Sequence, residues 1–287
     1  MMHKSTIQLL RFHFSFFLMP IYLFALSQVP AINWLNAILV FIVLHVLVYP
    51  ASNGYNSYMD RDETAIGGLE KPLPPTRQLF YVTVLMDTLA VLTGFFISTY
   101  FAIGVLLYIL VSRAYSYRGI RLKQYPIIGF LTVVVFQGAV TFWLVYHGSS
   151  SAKMLDVPWP TMLAASLLIG GFYPLTQIYQ HEADRADGVT TISYVLGYRG
   201  TFIFTAIVYV LSFAVLAFWF LTSLQITGFM LLQLFFLPTL IYFFYWANQV
   251  WKNTAAANFK HTMQMNLIAS VCTNLAFITI LILNLFE

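Results

Sequence analysis

Long apolar runs, cut at short intervals by proline, glycine and charge, set the pattern of this chain. A hydrocarbon slab of about 30 Å asks for about 20 apolar residues of helix, and runs of that length recur from end to end. Their breaks place nine spans, near residues 9–28, 34–56, 77–98, 99–117, 127–147, 160–181, 200–222, 226–250 and 263–286. The first run, with Lys4 and Arg11 ahead of residues 12–26, has the outline of a signal peptide. A second apolar run follows at 34–48 and the chain stays hydrophobic beyond it, so the segment reads as the first span. The predicted fold class is all-α: a polytopic membrane protein of about nine transmembrane helices, one domain over 1–287, without linkers or low-complexity stretches.

Composition excludes a soluble alternative. The 287 residues are 60% hydrophobic and 8% charged, more apolar surface than a water-facing shell can cover. Cys272 is the single cysteine, which rules out an intrachain disulfide and a cysteine-based metal site. The net charge of +4 is spread over short loops rather than gathered on a basic face. It points to an anionic lipid leaflet and away from nucleic acid. With the N-terminus cytoplasmic, thirteen of the fourteen Lys and Arg residues lie on the inner side, and only Lys153 lies outside. Short loops, and the lack of an Arg/Ser-rich leader, favour a prokaryotic plasma membrane.

Against this background two polar stretches stand out: 56–63, with Asn56, Asp60, Asp62 and Glu63, and 180–187, with Gln180, Glu182, Asp184 and Asp187. Asn56 and Asp60 are four apart, as are Gln180 and Asp184, so each pair shares a helix face. Both stretches end spans on the same predicted side. Oxygen-rich ends facing one another suit Mg²⁺, which binds through one or two carboxylates plus substrate phosphates and keeps several waters. Between them, Arg121 and Lys123 follow a span on the same side and are suited to phosphate oxygens, one as a fork and the other as a point charge. Lys71 adds a cation in the stiff loop 67–75, which reads as a lid or a simple turn.

Asn56-xxx-Asp60, the Lys71-Pro-Leu-x-Pro loop, Tyr115-Ser through Arg121-Leu-Lys123, Glu182-x-Asp184-Arg-x-x-Gly188-x-x-Thr191 and Leu196-Gly197 together resemble the UbiA superfamily of intramembrane prenyltransferases. The similarity is anchored at 53–77, 113–129 and 173–200, and the Tyr-Ser…Arg-Leu-Lys segment looks most like the chlorophyll synthase and archaeal ether-lipid branches. The resemblance implies a helical bundle around a central cavity open to lipid. Asn56, Asp60, Gln180, Glu182 and Asp184 would surround Mg²⁺, with Asp60 and Asp184 central to catalysis. Arg121, Lys123, Lys71 and Tyr115 would meet the diphosphate. The chain departs from the family pattern at Thr64, where a further Asp usually follows the first motif. It departs again at Gln180, where the second motif usually opens with Asp. Asp62, Glu63 and Asp187 are the substitutes that neighbouring turns offer, but helical spacing points them at other faces.

The implied activity is Mg²⁺-dependent transfer of a prenyl group from an isoprenoid diphosphate to an aromatic or lipid-soluble acceptor, releasing diphosphate. The alternatives are a membrane terpene cyclase on the same scaffold and a non-catalytic lipid-binding or transport relative. No residue stands out as the base for a ring proton, and Asp187 and His181 are candidates by location alone. Asp87 lies mid-span, as a functional carboxylate or a partner for another helix. His45 and His13 read as packed imidazoles, Asn266 and Asn274 as interhelical hydrogen-bonding groups, and Gln137 as a residue with a possible cavity-facing position.

Overall fold

The computed structural model describes residues 2–286. Among the described residues, nine helices are long and apolar enough to cross a membrane. They are α1 (Lys4–Ser27), α2 (Trp34–Asp60), α3 (Arg77–Ile97), α4 (Thr99–Ser116), α5 (Pro126–Ser149), α6 (Trp159–Ala186), α7 (Ile192–Thr222), α8 (Ile226–Lys252) and α9 (Phe259–Phe286). No strand forms among them, and two isolated bridges pair Ile32 with Ser150 and Ile66 with Leu69.

The outward faces carry the hydrophobic load. On α3, Tyr81, Leu85, Leu92 and Phe96 are each more than half exposed, an arrangement that hydrocarbon tolerates and water does not. From α2 onward each helix packs on the next, and α9 returns against α1 to close a ring. Phe24 of α1 fastens the closure. It stacks on Phe277 of α9 at 4.6 Å and meets Phe142 of α5 edge-on at 5.0 Å.

Apolar run length and its breaks placed the nine spans and missed their irregularities. Arg11 adopts a left-handed conformation (φ 48) that breaks α1, with a 3₁₀ stretch at Phe12–Leu18 beyond it. The helix therefore starts at Lys4, ahead of the predicted residue 9. At the other end of the bundle, α7 reaches back to Ile192 across a kink at Gly197 (φ 67), eight residues before the predicted start. Pi-helical stretches interrupt α2 at Ile42–Val48 and α5 at Val134–Val140. The second of these carries Phe136 and Gln137 onto the wall of a central cavity, in keeping with the habit of π segments to occur near functional sites.

The mid-span carboxylate Asp87 is a helix fastener. It forms an ion pair with Arg113 of α4, whose Nη1 also donates to Thr83 Oγ1 at 3.2 Å and whose guanidinium lies 3.9 Å from the Tyr55 ring centre. His45 is packed among Phe41, Tyr22 and Tyr49 with neither ring nitrogen hydrogen-bonded. His13 meets Gly68 O at 3.1 Å. The expected interhelical bonds of Asn266 and Asn274 do not form. Both polar atoms of the Asn274 side chain and Oδ1 of Asn266 are buried without a partner among the described residues, and Asn266 instead lines the central cavity.

Candidate functional site

Both polar stretches reach one cavity of about 240 Å³ at a single end of the bundle. Helix α2 delivers Asn56 and Asp60 on one face. Asn56 Nδ2 donates to Ser116 Oγ of α4 at 3.0 Å, which leaves Oδ1 free. Asp60 is nearly buried, with 4% of its side chain exposed; it pairs with Lys123 and lies 3.8 Å from Arg121 Nη2, and its Oδ1 has no hydrogen bond. Arg61 then turns left-handed (φ 55) and ends the helix. The break overturns the expectation for Asp62. With the helix finished, Asp62 swings onto the cavity wall. Burial, then the neighbouring Asp60 charge, pushes its pKa up to about 6 against the opposing pull of Lys123 and Arg11.

Helix α6 brings the second stretch. Pro174 and a 3₁₀ turn at Ile178–Gln180 precede the closing segment His181–Ala186. Asp184 lines the cavity, and its carboxylate makes no hydrogen bond or ion pair among the described residues. Gln180 also lines it, with Nε2 donating to Ala65 O at 3.2 Å. Glu182 is exposed and outside the cavity; two positions from the cavity-lining Asp184, it sits on the opposite face of the turn. Asp187 follows the helix end and faces the cavity, again against the expectation from spacing, and pairs with Arg121 and, at 3.5 Å, with Arg118. His181 is withdrawn from the site: Nε2 meets Ser193 Oγ at 2.8 Å and the ring stacks on Tyr198.

The cations divide into three groups. Lys123 lines the cavity and bonds Asp60. Arg121, left-handed at φ 49, stands behind the wall and holds Asp187 through both its carboxylate and its backbone carbonyl. Lys71 is exposed and off the cavity, its loop tied to Gln8 through Lys71 O and Leu73 N. Tyr115 lines the wall and bonds the Tyr173 hydroxyl, which also accepts from Gln177 Nε2 at 2.9 Å.

Sequence reasoning counted Arg11 only as an inner-side charge. The left-handed break aims it into the cavity, where it is 6% exposed. Its Nη1 donates to Gly67 O at 3.1 Å and its Nη2 to Asn53 O at 3.2 Å, while among the described residues Nε has no acceptor and no carboxylate lies within ion-pair distance. Tyr173 and Gln177 were also missed, since nothing in their local pattern sets them apart from other residues of an apolar span. Deeper in, Tyr108, Val111, Val133, Phe136 and Met263 make an apolar and aromatic wall, with Gln137 and Asn266 as its polar points.

The donor set is all oxygen: Asn56 Oδ1 and the carboxylates of Asp60, Asp62 and Asp184, with Gln180 turned by its amide to Ala65 O. Among the described residues no three His, Cys, Asp or Glu side chains close into a cage. Such a half-built oxygen site fits Mg²⁺, which completes its shell with water and phosphate, better than a soft or tightly caged metal.

The family model for the UbiA prenyltransferase family matches residues 16–268. In fold, the chain is similar to a UbiA homologue from Archaeoglobus fulgidus whose structure is bound to DMAPP and Mg²⁺. The identity is 19% over 97% of this chain and 99% of that one, with a TM-score of 0.70. It is likewise similar to an apo UbiA homologue from Aeropyrum pernix K1, at 20% identity over 93% and 97% of the two chains, TM-score 0.67. A digeranylgeranylglyceryl phosphate synthase matches at 16% identity over 99% of both chains, TM-score 0.62. A sequence search of curated proteins finds no significant match.

Proposed function

Because the chain belongs to the UbiA prenyltransferase family, we propose that it transfers a prenyl group from an isoprenoid diphosphate to an aromatic or lipid-soluble acceptor in a Mg²⁺-dependent reaction. One observation carries this reading: the carboxylates of α2 and α6 share a cavity with Lys123 and Arg11, and that cavity runs on into an aromatic wall. Homologues of the same fold are described as bound to DMAPP or GPP with Mg²⁺. Asn56, Asp60 and Asp184 hold the cation in this reading; Glu182 and Lys71 leave the set, being exposed and away from the cavity.

When bound, Mg²⁺ supplies positive charge to the diphosphate oxygens. As the C1–O bond breaks, its electron pair leaves with the diphosphate, and Lys123 and Arg11 take up the growing negative charge. Arg121 holds Asp187 and so keeps that carboxylate off the leaving group. The rings of Tyr108 and Phe136, on the cavity wall, exclude water from the allylic cation, and a ring face turned to it adds an attraction of about 0.5–2 kcal/mol. The acceptor's nucleophile then bonds C1, and the acceptor loses a proton. The active face is cytoplasmic in this reading, following the distribution of Lys and Arg.

Binding of geranylgeranyl diphosphate to purified protein, with Mg²⁺ and then with EDTA, tests the proposal. Mg²⁺-dependent binding that is lost in Asp60→Ala/Asp184→Ala is the expected outcome. Binding indifferent to both the metal and the aspartates would end it.

A further inference from the structure

Two departures from the family pattern, Thr64 and Gln180, meet at one loop. Where α2 stops at Asp60, the left-handed Arg61 prevents the extra helical turn that would carry position 64 back over Asp60. Thr64 is exposed. The same break puts Asp62 on the cavity wall, with no hydrogen bond or ion pair among the described residues. Beside it, Asp60 Oδ1 is buried on a side chain 4% exposed and has no hydrogen bond, its nearest cation being Arg121 at 3.8 Å.

Across the cavity, the Gln180 amide donates to Ala65 O, three residues beyond Asp62. An ionised Asp at 180 has no proton to donate and cannot make this bond. Arg11 adds a second tie at Gly67 O and also grips α2 at Asn53 O. The segment that carries Asp62 is thus fastened from α1 and from α6. Asp187, the other carboxylate that came unexpectedly to the cavity, is engaged by Arg121 and Arg118.

The geometry points to Asp62 as the cation-facing carboxylate that replaces the acidic residue missing at 64, with Gln180 as the positioning residue that holds its loop. The two departures are then one rearrangement: the carboxylate moves two places earlier, and the second motif exchanges a ligand for a latch. The ligand class is a hard divalent cation accompanied by a diphosphate. This inference rests on the Mg²⁺-dependent reading above and assigns that site's ligands.

The test is Mn²⁺ binding to the full chain in nanodiscs, followed by electron paramagnetic resonance with inorganic diphosphate present. Asp62→Asn is expected to weaken binding by about tenfold or more, and Asp62→Ser, a second neutral variant in case the first folds poorly, by as much. Glu63→Gln removes the same charge from an exposed neighbour and is expected to change binding less than about twofold. Gln180→Leu is expected to weaken binding by several-fold in the native background and to add little once Asp62 is gone, since the two act through one loop. An Asp62→Asn effect no larger than that of Glu63→Gln overturns the ligand assignment. A Gln180→Leu loss that adds in full to Asp62→Asn overturns the positioning role. Wild-type protein that binds no Mn²⁺ with diphosphate overturns the parent reading as well, whereas wild-type binding that ignores Asp62 overturns this inference alone.

Discussion

Arg11 and Arg113 are both arginines inside helical spans, and their surroundings give them opposite duties. Arg113 has a carboxylate, Asp87, and its charge is spent on holding α3 to α4. Removing one member of such a largely buried pair costs of order 3 kcal/mol, while replacing both with apolar groups costs far less. Asp87→Leu is therefore expected to lower the melting temperature in detergent clearly. Asp87→Leu/Arg113→Leu should recover most of it, with isoprenoid diphosphate binding unchanged throughout; a double variant no more stable than the single one would deny the pair its structural duty. Arg11 has two carbonyls and no carboxylate, in a cavity built of charge. Asp60 and Asp62 act on its guanidinium only from beyond ion-pair distance, which leaves it placed for the anion of the proposed site. Arg11→Gln is expected to weaken diphosphate binding about 10- to 100-fold, equivalent to about 1.4–2.7 kcal/mol. Arg11→Lys, which keeps the charge but loses the fork, should fall between. Calorimetric titration in the presence of Mg²⁺ reads both.

At the scale of the element, regular helix was legible in the sequence and its interruptions were not. Hydrophobic run length sets a span, so all nine appear. The placement of Asp62, Asp187 and Arg11 depends on where a helix ends or breaks, and Arg61 and Arg11 carry no residue-type signal for a left-handed conformation, which glycine would have given. Asp60, Asp184, Lys123 and Tyr115 were legible because each precedes such a break or forms part of a motif; Gln180 was legible by position, but its tie to Ala65 needs the fold. Close approach is equally hidden. A Cβ on Gly138 would lie 2.5 Å from Ser166 Cα, where the π segment of α5 crosses α6 and Ala139 N donates to Ser166 Oγ at 3.0 Å. Small residues permit such crossings in membranes. Gly138→Ala is expected to destabilise by about 1–3 kcal/mol through overpacking, seen as a lower melting temperature, and to perturb the cavity through its neighbour Gln137. Unchanged stability would mean that α5 and α6 separate freely there.

Across the whole molecule, charge and hydrophobicity impose a single polarity. The ring of helices is lipid-facing outside, and the carboxylates, Lys123 and Arg11 gather at one end of its interior. Lys153 lies at the opposite end, in the loop before α6, where burial lowers its pKa and its ammonium donates to Gly148 O at 2.6 Å. That lone basic residue is absorbed by the fold and offers little to an outer leaflet. The other thirteen flank the acidic end, and retention of Lys and Arg on the cytoplasmic side is the usual determinant of orientation. Under the proposed orientation, the charged end of the cavity, and with it any water-soluble diphosphate product, faces the cytoplasm. Single cysteines at Ser151 and Glu70, both exposed in loops at opposite ends, make the orientation measurable in a Cys272→Ser background. Ser151→Cys is expected to react with a membrane-impermeant maleimide on intact cells, and Glu70→Cys only after permeabilisation. The reverse pattern would turn the active face outward, where a cytoplasmic pool of isoprenoid diphosphate has no direct access to it.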